Sequence, residues 1–302
     1  MVVDAIGAFL NILLIIAFLA DPLKVLRRGV WITILNLAFA DLISCVANFF
    51  DVGLISEFDV TDSMTFRIVR FFLTFGVSAS FMLLATLTVE TYVVTKYPIK
   101  GRVLLTRKKT VILCAMAWFL AMPLGLSNIA YLFTDNFSRL MKIYIAQIAV
   151  LELTVIVQVI LKVLIIREIM KSRRNTHQQQ QRQNNKHKEI AKSIIILNVI
   201  LIVTALPYLV SKQLEFIWKL RVVGEDQLLW RFSNYYEPIA AINYLANPIL
   251  YALRLPDYRR TLLAPFTKCK SLSFTGCLRW NNSIITARTE ISKVQQSTTT
   301  RL

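Results

Sequence analysis

Residues 30–54 read VWITILNLAFADLISCVANFFDVGL, a largely apolar run with only two charged side chains, Asp41 and Asp51. A helix needs about 20 mostly apolar residues to cross the hydrocarbon core of a bilayer. Six other stretches have the same character: 2–20, 66–95, 110–132, 141–168, 190–213 and 232–254. The sequence therefore predicts an all-α membrane protein built on a seven-transmembrane helix bundle. A count of six or eight spans stays open, because the stretch between Asp51 and Arg70 allows spans to be merged or split.

The composition and the charge distribution support a membrane protein. Of the 302 residues, 56% are hydrophobic and 18% are charged, which is too apolar a balance for a soluble domain or a disordered chain. With the amino terminus outside, the inner segments are 21–29, 96–109, 167–192 and the tail from Arg254, and they hold 26 of the 35 basic residues. This asymmetry follows the positive-inside rule and predicts a multi-pass membrane protein with a cytoplasmic carboxyl terminus. It also explains the net charge of +17 without a nucleic-acid partner.

The first stretch, residues 2–20, has its basic residues after it rather than before it. That placement favours a retained first span, and a cleaved signal peptide is the alternative.

Five polar side chains fall in one layer of the predicted bundle, about 10 to 22 Å from the inner ends of their helices at 1.5 Å per residue. They are Asn11, Asp41, Ser80, Asn243 and Asn247. A carboxylate surrounded by amide and hydroxyl oxygens is able to hold a sodium ion or a proton, and no other metal or cofactor is expected. The alternative is a hydrogen-bonded clamp between helices that contains no ion.

Two prolines predict bends in the last two spans. Pro207 lies in the sixth span, and Pro248 lies in Asn247-Pro-Ile-Leu-Tyr251 of the seventh. Because proline removes a helix hydrogen bond, both positions are candidate hinges for an outward swing of an inner end. Prolines tolerated for packing alone are the alternative. Tyr251 lies one turn inward of Asn247 and is predicted to face an inner cavity.

Together these residues resemble the rhodopsin-like class of G-protein-coupled receptors, from about Asn11 to Phe266. The motifs that carry the resemblance are Asn11, Asn36-Leu-Ala-Phe-Ala-Asp41, Glu90-Thr-Tyr92, Trp118, Pro207 and Asn247-Pro-Ile-Leu-Tyr251. The resemblance implies a receptor, and not an enzyme, that transduces binding of an extracellular ligand to a heterotrimeric G protein. The coupling and switch residues it implies are Glu90, Thr91, Tyr92, Pro207, Pro248 and Tyr251. Residues 37–48 and 251–254 look most like melanocortin receptors, in a branch with cannabinoid receptors and near adenosine receptors.

The sequence also departs from that class. The family usually ends the third helix with an acid, an arginine and a tyrosine, but Thr91 stands at the middle position and carries no charge. Ala205 stands where the sixth helix usually has a tryptophan. Altered or absent G-protein coupling is therefore an open alternative.

The outer halves of the helices are expected to enclose a ligand pocket. Its candidate residues are Asp51, Leu73, Thr74, Val77, Tyr208, Lys212 and Glu237. Glu237 requires a cation, either from a ligand or from Lys212 or Arg70. Leu73 stands where aminergic receptors carry an aspartate, which argues against a monoamine and leaves a peptide or another small molecule.

The segment after the last span resembles the amphipathic eighth helix of the class, so the receptor domain is predicted over 1–266 and a disordered cytoplasmic tail over 267–302. Cys269 is a candidate for palmitoylation at the lipid surface. The tail is rich in Ser and Thr, and phosphorylation there would create a docking strip for arrestin. Asn136, in Asn-Phe-Ser, is a candidate glycosylation site.

Three functions stay open at this point. The first is a signalling receptor, and the second is a receptor-like protein that no longer couples to a G protein. The third is a small transporter that uses Asp41, Glu152 and Glu237, although the sequence has no visible internal repeat of the kind many transporters have.

Overall fold

The computed structural model describes residues 1–21, 29–58, 64–97, 101, 104–132, 136–174, 195–196, 199–222, 226–254, 258 and 261. These residues form helices and no strands. We number the α-helices in chain order: α1 (Val2–Ala20), α2 (Val30–Phe58), α3 (Met64–Lys96), α4 (Arg107–Leu126), α5 (Phe137–Arg174), α6 (Leu206–Arg221) and α7 (Gln227–Arg254). A 3-10 helix, Ser127–Leu132, follows α4. Each predicted span overlaps one of these α-helices, although the sixth span, 190–213, overlaps α6 only from Leu206 onward.

Helix α7 is the one that hydropathy alone does not identify. Helices α1 to α6, with α6 counted from Val199, are long and apolar enough to cross a membrane, and α7 is not among them. The reason is its content of Glu237 and of asparagines such as Asn243 and Asn247. Both asparagines are buried in the bundle, so the polar face of α7 is turned to protein rather than to lipid.

Helix α6 extends to Arg221, beyond the predicted end of the span at residue 213. The carboxylate of Glu215 lies 3.1 Å from the ammonium groups of both Lys212 and Lys219. Pairs of opposite charge three and four residues apart stabilise a helix, so this charged turn continues α6 instead of ending it.

Helix α7 begins five residues before the predicted start of its span. Asp226 caps it, because its Oδ1 accepts hydrogen bonds from the backbone amides of Leu228 (2.8 Å) and Leu229 (3.2 Å). An aspartate at this position satisfies amide groups that have no partner within the helix.

The helices pack as a closed ring of neighbours. Helix α3 contacts α2, α4 and α5, while α7 contacts α6, α1 and α2 and so closes the ring. The approach of α3 to α2 depends on Gly76, where a Cβ atom would come within 2.7 Å of the Ser44 hydroxyl. Small residues allow such close packing of membrane helices.

The polarity of this bundle is inverted relative to a soluble protein. Large apolar side chains such as Phe119 and Leu228 are exposed, whereas Asp41, Glu90 and Gln158 are buried. This distribution is the one expected of helices surrounded by lipid.

Candidate functional site

A buried carboxylate joins three helices in the middle of the bundle. Asp41 of α2 has no exposed surface. Its Oδ1 accepts a hydrogen bond from the Ser80 hydroxyl of α3 at 2.6 Å, and its Oδ2 accepts one from the Asn247 side-chain amide of α7. The structure thus brings together three of the five residues of the predicted polar layer.

The other two residues of that layer have different surroundings. The Asn11 side-chain amide donates to the carbonyl oxygens of Gly7 (2.9 Å) and Tyr244 (3.1 Å), so it ties α1 to the backbone of α7 rather than to Asp41. Asn243 is buried, and neither its oxygen nor its nitrogen has a hydrogen-bond partner among the described residues.

The polar layer retains oxygen atoms that could coordinate a hard cation. The side-chain oxygens of Asn11, Asn243 and Asn247 are buried without a donor among the described residues. Together with the carboxylate of Asp41 they form an all-oxygen set of the kind that hard cations prefer. The residues therefore fit a sodium ion as well as a hydrogen-bonded clamp.

Helix α6 begins at a break that Pro207 produces. Residues 199–204 are helical, a turn follows at Ala205, and Pro207 occupies the first turn of α6. Proline has no N–H, so the carbonyl of Val203, four residues earlier, loses its helical donor. The hydroxyl of Tyr236 on α7 takes that place and donates to the Val203 carbonyl at 2.6 Å. The bend predicted at Pro207 is thus accompanied by a bond between α6 and α7.

Helix α7 remains helical across Pro248, the second predicted hinge. Tyr251, expected to face an inner cavity, is instead buried, and its hydroxyl has no partner among the described residues.

The inner half of α3 is stabilised by a contact that does not involve an arginine. Glu90 is fully buried and accepts a hydrogen bond from the Thr33 hydroxyl of α2 at 2.8 Å. Thr91 donates to the Leu87 carbonyl of its own helix, and Tyr92 accepts from Lys96 at 3.0 Å. Glu90, Thr91 and Tyr92 therefore make separate contacts, and the acid of this motif binds α2.

A cavity of about 590 Å³ lies between α3, α5, α6 and α7. Six of the seven predicted pocket residues line it: Leu73, Thr74, Val77, Tyr208, Lys212 and Glu237. Asp51 does not line the wall; it is buried behind it and pairs with Arg70 at 2.6 Å. Prominent wall residues that the sequence reasoning missed are Arg67, Arg70, Phe81, Gln147, Ala205 and Tyr244.

The pairing of charges at the cavity differs from the sequence expectation. Lys212 or Arg70 was expected to form an ion pair with Glu237, and this prediction is wrong. Lys212 pairs with Glu215, and Arg70 pairs with Asp51. Each of these two bases thus contacts another acid, and Glu237 has neither a hydrogen bond nor an ion pair with any described residue.

Two further predicted positions lie at or beyond the described ends of helices. Asn136 is exposed at the start of α5, where its side-chain oxygen accepts a hydrogen bond from the amide of Arg139 at 3.2 Å. Cys269 and the tail from 267 lie outside the described residues, as does the predicted eighth helix except at positions 254, 258 and 261.

Comparison with protein families agrees with this architecture. The family model described as "7 transmembrane receptor (rhodopsin family)" matches residues 10–251. The chain belongs to the rhodopsin family of seven-transmembrane receptors, and the predicted class and the predicted all-α bundle are confirmed. It is accordingly a multi-pass membrane protein of a receptor family. No curated protein matches the chain significantly.

Proposed function

We propose that the protein is a plasma-membrane receptor with its amino terminus outside, which binds an extracellular ligand in the 590 Å³ cavity and signals to a heterotrimeric G protein. The observation that carries the proposal is the position of the cavity. Its wall includes Ala205, the turn residue at the break in α6, together with Tyr208 one turn further along that helix.

The break in α6 offers a route from the ligand to the inner face. A ligand in contact with Ala205 and Tyr208 touches the helix at the point where its hydrogen-bond ladder is interrupted. The Tyr236–Val203 bond links that point to α7. A ligand that favours a different angle between α6 and the helical residues before the break shifts the population toward a bundle with its inner end open.

Thr91 and Ala205 favour a second candidate, a receptor-like protein that does not signal. Thr91 is buried against its own helix and presents no charge to a partner. The test is recruitment of engineered minimal Gα proteins from the four families to the receptor in cells, under basal conditions and with a ligand library. Recruitment of any one supports the receptor. Its absence, together with restored recruitment in Thr91→Arg, supports the silent protein.

We further propose a sodium ion at Asp41, with amide oxygens of the polar layer as additional ligands. When bound, the ion would supply a positive charge that stabilises the closed bundle. In the structure Asp41 accepts hydrogen bonds from Ser80 and Asn247, and these bonds clamp α2 to α3 and α7.

Arrestin docking on the phosphorylated tail, palmitoylation of Cys269 and glycosylation of Asn136 complete the proposal. They rest on the sequence alone. The transporter alternative gains no support from Glu152, because the side-chain amide of Gln213 lies against its carboxylate.

A further inference from the structure

The outer cavity contains one acid, Glu237, that makes no ion pair or hydrogen bond with any described residue. Glu237 lies ten residues after the start of α7 and lines the wall. Among the other charged wall residues, Arg70 and Lys212 are bound by Asp51 and Glu215, and Arg67 has interactions of its own.

A second carboxylate, that of Asp51, belongs to the surroundings of Glu237. Asp51 lies within electrostatic reach of Glu237, and the Asp51–Arg70 pair is closed at 2.6 Å. This group of two carboxylates therefore contains a single guanidinium. Lys212 and Arg67, the other two bases of the wall, make no ion pair with Glu237.

Two aromatic rings line the same cavity as this acid. Tyr208 and Tyr244 both line the cavity and both lie within electrostatic reach of Glu237. The faces of such rings attract organic cations, and the attraction grows as the cation loses water. Apolar side chains of the wall include Leu73, Val77 and Phe81 on α3 and Ile148 and Leu151 on α5.

We infer that the cavity takes a ligand that joins a protonated amine or a guanidinium to an apolar body. Glu237 would pair with the cation, Tyr208 and Tyr244 would flank it, and the apolar body would lie against α3 and α5. The inference rests on the proposed receptor function and names the chemical class of its ligand. A volume of about 590 Å³ suits a small molecule or one or two side chains of a peptide.

Binding of charged and neutral probes of equal shape tests the inference on the full-length protein in lipid nanodiscs. Saturation-transfer NMR would compare 4-phenylbutylamine with 4-phenylbutan-1-ol and 4-phenylbutyrate. N-acetyl-phenylalanyl-arginine amide would be compared with its uncharged citrulline analogue. These two arms distinguish a free amine from a basic peptide as the source of the cation.

The expected result is that at least one cationic probe binds about tenfold or more tightly than its neutral counterpart, a difference of about 1.4 kcal/mol. Glu237→Gln should abolish this preference, and Glu237→Lys should transfer it to 4-phenylbutyrate. Glu152→Gln is the matched control, since Glu152 contacts Gln213 and does not line the cavity, and it should retain the preference.

Three results would overturn the inference. They are equal binding of charged and neutral probes, failure of both cationic probes to bind, and an equal loss of the preference for the cation in Glu237→Gln and Glu152→Gln. Thermal unfolding of each variant without probe identifies a folding defect, and the gain of carboxylate binding in Glu237→Lys does not depend on a loss of function. Because the assay measures binding alone, its failure leaves G-protein recruitment to be judged separately.

Discussion

The hydroxyl of Tyr236 should stabilise the protein because it satisfies the one backbone carbonyl that Pro207 deprives of its helical donor. Tyr236→Phe removes only that oxygen and keeps the ring, which stacks on Phe232 with centroids 5.3 Å apart. The adjacent Tyr235, which is 81% exposed, provides the matched control Tyr235→Phe.

The expected loss follows from the 2.6 Å bond between Tyr236 and Val203. Val203 is exposed on the surface of the bundle, where lipid offers no replacement donor, and an acceptor left unpaired there costs about 1 to 3 kcal/mol. Hydrogen bonds between membrane helices average about 0.6 and reach about 1.7 kcal/mol. We therefore expect Tyr236→Phe to lower the free energy of unfolding by roughly 1 to 2 kcal/mol, and Tyr235→Phe to leave it unchanged.

The stabilising effect of the Tyr236 hydroxyl should depend on Pro207. In Pro207→Ala the residue regains an N–H that can reach the Val203 carbonyl, so the loss caused by Tyr236→Phe should shrink in that background. The assay is reversible unfolding by SDS in mixed micelles, applied to the four members of this double-mutant cycle. An equal loss in both backgrounds, or an equal loss at Tyr235, would refute the account of the α6 break.

Three further predictions concern the polar contacts of the bundle. The protein should unfold at a higher temperature in sodium chloride than in choline chloride of equal ionic strength, and Asp41→Asn should lose this difference. A sodium response that is the same in Asp41→Asn as in the unchanged protein would exclude the proposed ion site. Thr33→Val should lower the free energy of unfolding by about 1 to 3 kcal/mol, because the buried Glu90 loses the hydroxyl that donates to it at 2.8 Å. Thr33→Ser keeps a hydroxyl and should retain most of the stability. Equal losses in the two variants, measured by SDS unfolding, would contradict this hydrogen bond. Asp226→Ala should cost about 0.5 to 2 kcal/mol through loss of the α7 cap, and Asp226→Asn clearly less, again by SDS unfolding; no difference between them would argue against the cap.

The sequence predicted those parts of the site that depend on depth and on position along one helix. Asp41, Ser80 and Asn247 share a depth that follows from the rise per residue, and the structure brings them into contact. Leu73, Thr74 and Val77 are spaced to face one side of α3, and all three line the cavity.

The contacts that were missed depend on how one helix is rotated against another. Glu90 meets Thr33, which is 57 positions earlier in the chain, and no periodicity within α3 indicates this partner. The loss of a donor at Pro207 could have drawn attention to Val203, but the choice of Tyr236 depends on the register of α6 and α7. The expected partners of Glu237 were wrong for the same reason, because Lys212 has a nearer acid one turn along its own helix.

The central claim is that the break at Pro207 allows the helical segment before it, residues 199–204, to move away from α3. The most direct measurement is pulsed electron resonance between spin labels at Tyr97, after the end of α3, and Val199, on the inner side of the break. Minimal Gα proteins of the four families would be added in turn to the labelled protein in nanodiscs. The account predicts a longer distance with at least one of them; a distance distribution that none of them changes would contradict it.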